Sequence, residues 1–119
     1  MTPRRIQLSR RRGWRMPPGT VKADRTTLWG NPFVVGRPII YQPSTYVRDR
    51  RHAASLYRTH APHNAQLREA ARVLRGYNLA CWCRLCDRHR DGKPAGVRCP
   101  DCEPCHVDTL LTIANPTED

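Results

Sequence analysis

Two Cys-x-x-Cys pairs in the last third of the chain constrain its fold more than any other sequence feature. They are Cys83/Cys86 and Cys99/Cys102, and the spacer between them contains glycine and proline but few apolar residues. Each pair can turn two thiolates onto one ion from a tight loop, and two pairs complete the tetrahedron that structural zinc prefers. The sequence therefore predicts Zn²⁺ held by Cys83, Cys86, Cys99 and Cys102, with residues 84–104 forming an inserted, zinc-ribbon-like loop.

The composition explains why a metal matters to this chain. Leu, Ile, Val and Phe make up 21 of its 119 residues, and the formal net charge is +11, a combination typical of disordered proteins. Structural zinc contributes about 10–16 kcal/mol in small peptides, whereas a whole domain is stable by about 5–15 kcal/mol. One zinc site can therefore decide whether the last third of the chain folds.

Three further residues leave the metal assignment open. They are Cys81, Cys105 and His106. Cys81 and Cys83 are two apart in a predicted strand, so their side chains point to one face. With Cys105 and His106 they could form the metal site instead, or a second site beside the loop. Alternatively Cys105 and His106 lie free at a helix N-terminus, which favours a thiolate or a bound anion.

The hydrophobic pattern predicts a small single α/β domain over residues 1–119, in which a short sheet is packed by about three helices. Residues 4–8 alternate and predict an edge strand inside a basic arm at 1–20. Apolar runs predict further strands, and stripes of apolar residues with cap residues predict the helices. The strands are expected at 33–35, 38–41 and 77–83, and the helices at 45–60, from Asn64 to Gly76, and from Cys105 or His106 to Asn115.

The positive charge is concentrated in the first two thirds of the chain. The net charge is +8 over residues 1–40, +5 over 41–80 and −2 over 81–119. Such a field attracts phosphate polymers, so a nucleic acid or nucleotide is the expected partner. Tryptophans are available to stack on bases. The predicted contacts are Arg4, Arg5, Arg10, Arg11, Arg12, Trp14, Arg15 and Trp29.

The N-terminus predicts a reducing, cytoplasmic location. Ser9-Arg10-Arg11-Arg12 is similar to a twin-arginine signal, but the segment that follows, up to Gly19, lacks the necessary apolar stretch. No run approaches the roughly 18 apolar residues that a membrane span needs. In a reducing compartment, six cysteines favour metal binding or chemistry over disulfides.

Three boxes resemble a small uncharacterised family of domains of unknown function, found largely in bacteria and their phages. They are W-G-N-P-F at 29–33, C-W-C at 81–83 and C-H-x-D at 105–108. The resemblance implies a compact single domain and no established reaction. In that family C-W-C is followed closely by C-H-x-D, whereas about twenty residues intervene here. The resemblance therefore implies a loop inserted into an existing site.

The first box has its own physical chemistry. Gly30 permits a turn with positive φ, and Pro32 holds Asn31 in an extended conformation. The amide of Asn31 is then suited to a base edge or to a backbone group, while Asp108 in the last box could orient an imidazole or cap a helix.

Three functions remain open on the sequence. The first is a zinc-stabilised basic domain that binds nucleic acid or a nucleotide, as a phage or bacterial accessory protein. The second is an enzyme acting on a nucleotide or nucleic-acid base, with Cys81, Cys105, His106 and Asn31 lining the pocket. The third is a phage effector whose basic arm grips an acidic host protein. The sequence contains no deaminase, P-loop or dinucleotide-binding motif that would favour the enzyme over the other two functions.

Overall fold

A four-stranded mixed sheet forms the centre of the computed structural model, which describes residues 2–39 and 42–116. Its strands follow the order β2-β5-β1-β6, and a separate hairpin is made by β3 and β4. The strands are β1 (Arg4–Gln7), β2 (Thr20–Lys22), β3 (Pro38–Ile39), β4 (Gln42–Tyr46), β5 (Asn78–Cys81) and β6 (Lys93–Pro94). The central strand β5 runs parallel to both β1 and β2, whereas β6 is antiparallel to β1.

Three α-helices accompany the sheet: α1 (Arg50–His60), α2 (Ala65–Ala70) and α3 (His106–Ala114). Short 3₁₀ turns follow α1 and α2 and begin the loop, at Ala61–His63, Ala71–Leu74 and Asp87–His89. The predicted class, a small α/β domain with a short sheet, about three helices and a cysteine-rich loop, is therefore confirmed. Within the described ranges, no helix is both long and apolar enough to span a membrane.

Side-chain caps explain where the helices begin. The Asp49 carboxylate accepts a hydrogen bond from the His52 backbone N–H at 2.8 Å, so α1 starts at Arg50. The helix predicted over residues 45–60 is therefore present and ends at His60, but its predicted start was wrong, since β4 occupies Gln42–Tyr46. Asn64 caps α2 in the same way, as predicted, by accepting from the Leu67 N–H at 3.1 Å.

Three of the predicted strands differ from the structure, and the one predicted at 77–83 is shorter, since β5 ends at Cys81. Residues 33–35 form no strand, and Ile40 and Tyr41 of the next predicted strand lie outside the described residues. The strand at 4–8 is not at an edge, because β6 from the loop pairs with its second side. This pairing was not predictable from local pattern, since β6 contains only two residues, one of them a proline.

The sheet separates two apolar clusters. The larger lies between the sheet and the helices and contains the buried residues Leu79, Val107, Leu110 and Leu111. The smaller lies on the opposite face, where Ile6, Leu8 and Ala80 are covered by the half-buried Trp14. The basic arm is thus anchored to the sheet through Trp14.

An ion cluster of two buried cations and the half-buried Asp108 joins β1, the loop and α3. The Arg5 side chain is 0 % exposed and lies 2.8 Å from the Asp108 carboxylate. The Lys93 ammonium, from β6, binds the other oxygen of Asp108 at 3.1 Å. The second terminal nitrogen of Arg5 also donates to the backbone oxygens of Cys83, Arg84 and Glu103. Arg5 therefore ties together the beginning of the loop, its end and helix α3.

This placement corrects two sequence-based interpretations. Arg5 was expected to contact phosphate, but it is buried on the same sheet face as Leu79, its register partner in β5. Asp108 was expected to orient an imidazole or cap the helix, and it instead accepts from two buried cations. The alternation of polar and apolar residues could not show that Arg5 is buried while its neighbour Arg4 is exposed.

Replacing Asp108 should test how much the ion cluster contributes. We expect Asp108→Ala to lower the free energy of unfolding by about 3–5 kcal/mol, because it leaves Arg5 and Lys93 as buried unpaired cations. The matched control is Glu69→Ala, which removes an exposed pair with Arg72 and should cost at most about 1 kcal/mol. Urea unfolding monitored by circular dichroism measures both. Equal losses in the two variants would contradict this role.

Candidate functional site

The loop brings together one group of four potential metal ligands. They are Cys86, His89, Cys99 and Cys102, and their ligand atoms all lie within 4.8 Å of one another. The Cys86 Sγ is 3.8 Å from the Cys99 Sγ and 3.3 Å from the His89 Nδ1. The Cys102 Sγ is 3.5 Å from the same nitrogen. This cluster, called here the loop site, could hold a metal ion.

The loop-site distances match a tetrahedral ion. Zinc bonds of about 2.3 Å to sulfur and 2.0–2.1 Å to nitrogen place two sulfurs about 3.8 Å apart, and sulfur and nitrogen about 3.6 Å apart. Arg88 supports the site from outside, since it donates to the Cys99 Sγ at 3.5 Å and to Asp101 at 2.7 Å. Burial raises the pKa of Cys99, but hydrogen bonds from the Asp101 backbone and from Arg88 lower it to about 6.

His89 takes the position in the loop site that the sequence analysis gave to Cys83. The 3₁₀ turn Asp87–His89 returns the chain so that His89 faces Cys86. Cys83 lies in a different cluster. The spacing Cys86-x-x-His89 was the available signal, because imidazole and thiolate are interchangeable zinc ligands. The three other predicted ligands do lie together.

A second cluster, called here the cleft cluster, contains Cys81, Cys83 and Cys105, whose sulfurs also lie within 4.8 Å of one another. Cys81 ends β5, Cys83 follows two residues later, and Cys105 precedes the first residue of α3. The Cys81 and Cys105 sulfurs are 3.0 Å apart, and both side chains are buried. The end of β5 and the N-terminus of α3 therefore lie close together, and this brings the three thiols into one group.

The pKa values of the three thiols are shifted in different directions. Hydrogen bonds from Cys105 and Cys81 lower the pKa of Cys83 to about 2. The same contacts, together with burial, raise the pKa of Cys105 well above its usual range. The Cys105 contact lowers the pKa of Cys81, but the Cys83 contact and burial outweigh it and raise that pKa to about 12. The cluster thus stabilises a negative charge on its most accessible sulfur.

His106 is fixed beside the cleft cluster by the backbone. Its Nε2 lies 2.9 Å from the carbonyl oxygens of Ala23 and of Trp29, so Nε2 carries the proton and donates to both. Nδ1 then has a free lone pair, and it lies 3.8 Å from the Cys105 Sγ. Burial lowers the pKa of His106, which favours this neutral form.

A cleft of about 310 Å³ opens over these residues. Its wall contains all three thiols of the cleft cluster together with His106 and Asn31, so the four residues expected to line a pocket do converge. Asp24 and Trp82 form another part of the wall and are joined by a hydrogen bond of 2.9 Å from the indole N–H. The cleft therefore combines thiols, an imidazole, a carboxylate and an aromatic ring.

Asn31 has a structural role within this wall. Its amide N–H donates to the Ala53 carbonyl at 3.1 Å, and its amide oxygen accepts from the Phe33 N–H at 2.9 Å. Arg25 donates to the backbone oxygens of Asn31 and Phe33. These bonds fasten the W-G-N-P-F box to α1, so the side chain of Asn31 is not free to read a base edge.

Gly30 is required by close packing rather than by a positive φ. Gly30 does not have a positive φ, which corrects the expectation from the sequence. A Cβ at this position would lie 2.7 Å from the Arg25 Cα and 3.0 Å from the Asp24 oxygen. The box therefore packs directly against the backbone of the turn that supplies Asp24 to the cleft.

The predicted nucleic-acid contacts separate into two groups. Arg4, Arg10, Arg11, Arg12 and Arg15 are exposed. Arg5 is buried, whereas Trp14 and Trp29 are half-buried against apolar clusters. Trp82 was not among the predicted contacts, but it is 40 % exposed at the cleft, and the Arg10 guanidinium lies 4.4 Å from its ring centre. The reason is that Trp82 falls within the strand predicted at 77–83, which was expected to be buried.

A family model for a domain of unknown function (DUF4326) matches residues 6–116. The chain belongs to the DUF4326 family. The expected membership of an uncharacterised domain family is thereby confirmed. No curated protein and no solved structure matches the chain.

Variants of this DUF4326 domain can separate the two possible ligand sets of the loop. We expect His89→Ala to abolish metal-dependent protection of the loop arginines from trypsin, raising their cleavage rate at least about tenfold, because cleavage follows the population of the opened loop. Cys83→Ser should leave that protection intact. Mass spectrometry of timed digests, with and without a chelator, measures the effect.

The matched control is His63→Ala, an exposed histidine outside the loop. It should digest like the unmodified protein. Protection lost in Cys83→Ser but kept in His89→Ala would restore the four-cysteine ligand set and contradict the assignment to His89.

Proposed function

We propose that this domain binds a nucleotide or a single nucleic-acid strand at the cleft, and that zinc in the loop site stabilises the fold around it. The stacking of Arg10 on Trp82 carries the proposal. It places an aromatic ring, which can stack on a base, beside a guanidinium, which can bind the adjoining phosphate.

The surrounding charge supports an anionic ligand. Arg10 begins a segment in which Arg11, Arg12 and Arg15 are also exposed, and this segment leads directly from β1 past Trp82. Arg50 also lines the cleft. A strand lying across Trp82 would therefore meet several cations, and this is the arrangement that single-strand binding grooves use.

The donor set of the loop site supports zinc as its metal. Three sulfurs and one imidazole at tetrahedral spacing are typical of structural zinc, whereas calcium and magnesium prefer oxygen ligands. The side chains supply four ligands, so a zinc ion there would be closed to substrate. Its role in the proposal is to hold residues 84–104 against β1, with which β6 of the loop pairs.

Binding of short fluorescein-labelled DNA and RNA single strands tests the proposal by fluorescence anisotropy. We expect Trp82→Ala to weaken binding about fivefold or more, because one stacked base contributes about 1–3 kcal/mol. Trp82→Phe is the matched control, since it retains an aromatic face and should keep most of the affinity. No binding at low salt, or equal binding by all three proteins, would refute the proposal.

The salt dependence tests the basic segment separately. Each single-strand phosphate contact contributes about −0.7 to the slope of log affinity against log salt. Arg11→Ala/Arg12→Ala should therefore reduce the steepness by about 1.4. Arg68→Ala/Arg72→Ala removes the same charge from exposed positions on and after α2 and should leave the slope unchanged. Equal changes in both would indicate nonspecific attraction only.

A further inference from the structure

We propose that the cleft cluster of Cys81, Cys83 and Cys105 holds a second divalent metal ion, distinct from that of the loop site, with one coordination position open to the cleft. The position would take water or the anionic oxygen of a bound ligand. This inference goes beyond ligand binding and does not depend on it, because it concerns the metal alone.

The number of ligands argues for an open site. Closed structural zinc sites use four protein ligands, whereas sites that exchange a ligand use three. The atoms that lie within 4.8 Å of one another here are three sulfurs, and His106 is not a member of that group. All three cysteines line the cleft, so an ion bound by them would face its interior.

The local charge favours a cation bound by three thiolates. Three thiolates and one divalent ion leave a net charge of −1. The Arg5 guanidinium is buried nearby and interacts electrostatically with Cys81, Cys83 and Cys105. It compensates the remaining negative charge, which would otherwise be costly among these buried side chains.

The fixed tautomer of His106 gives the open position a partner. Because Nε2 donates to two carbonyls, Nδ1 can only accept a hydrogen bond on the side that faces Cys105. A water molecule on the metal could donate to this nitrogen. His106 therefore offers the exchangeable ligand a hydrogen-bond acceptor.

A disulfide explains the cluster less well than a bound metal ion does. The sulfurs of Cys81 and Cys105 are 3.0 Å apart, well beyond a disulfide bond of about 2.05 Å. Pairing two of the three cysteines would also leave the third, in the same cleft, without a partner.

Metal analysis of the full chain, purified under reducing conditions and loaded with Co²⁺, tests the inference. We expect two ions per chain in the unmodified protein and one in Cys83→Ser, with the loop-site ion retained. The difference between their absorption spectra should show a tetrahedral, thiolate-bound ion, and added azide should shift these bands. His63→Ala, as a control, should retain both ions.

Each alternative result has a defined meaning. One ion per chain in the unmodified protein, or two in Cys83→Ser, would overturn the second site. A second ion that does not respond to azide would overturn the open position. A Cys81–Cys105 disulfide found by mass spectrometry in the anaerobically purified protein would overturn both. None of these results affects the binding of nucleic-acid strands, so the inference and the proposed function fail independently.

Discussion

The ion pairing of the Asp108 carboxylate with two buried cations is the interaction on which the rest of the structure depends. The carboxylate lies at the first turn of α3 and is held by Arg5 from β1 and by Lys93 from β6. Burying the two cations without a counterion would cost several kcal/mol in desolvation. The three side chains are therefore stable only together. This requirement fixes α3 against the sheet and, with it, the positions of Cys105 and His106 in the cleft.

The same guanidinium connects the loop site with the cleft. Arg5 donates to the carbonyls of Cys83 and Arg84, where the loop begins, and of Glu103, where it ends. Glu103 is held further by a backbone bond from its N–H to the Arg84 carbonyl and by an ion pair with Arg50 of α1. The cleft thiol Cys83 and the loop ligand Cys86 are thus separated by a single anchored turn.

The sequence predicted those features that are encoded by local patterns. The Asn64 cap, the α3 stripe of Val107, Leu110 and Leu111, and the α/β class all follow from spacing and are present. Three loop cysteines were placed together correctly, and the pocket residues Cys81, Cys105 and His106 converge as expected.

Features that depend on distant pairing were not predictable in this way. Arg5 looks like any other arginine of a basic arm until Asp108 is brought beside it from 103 residues away. His89 replaces Cys83 because a 3₁₀ turn, which periodicity does not reveal, redirects the loop. Trp82 lies at the cleft because the strand ends at Cys81, one residue before it.

The two residues of β6 make the loop part of the domain rather than an appendage. They cover the outer side of β1 and supply Lys93 to the interior, and Gly92 lets the loop approach β1 so closely that a Cβ would lie 2.9 Å from the Arg4 side chain. A shortened chain joining Cys83 directly to Cys105 would expose the backbone groups along that side of β1. Bare strand edges pair readily with other chains, so removing these residues would turn a covered strand edge into a template for aggregation.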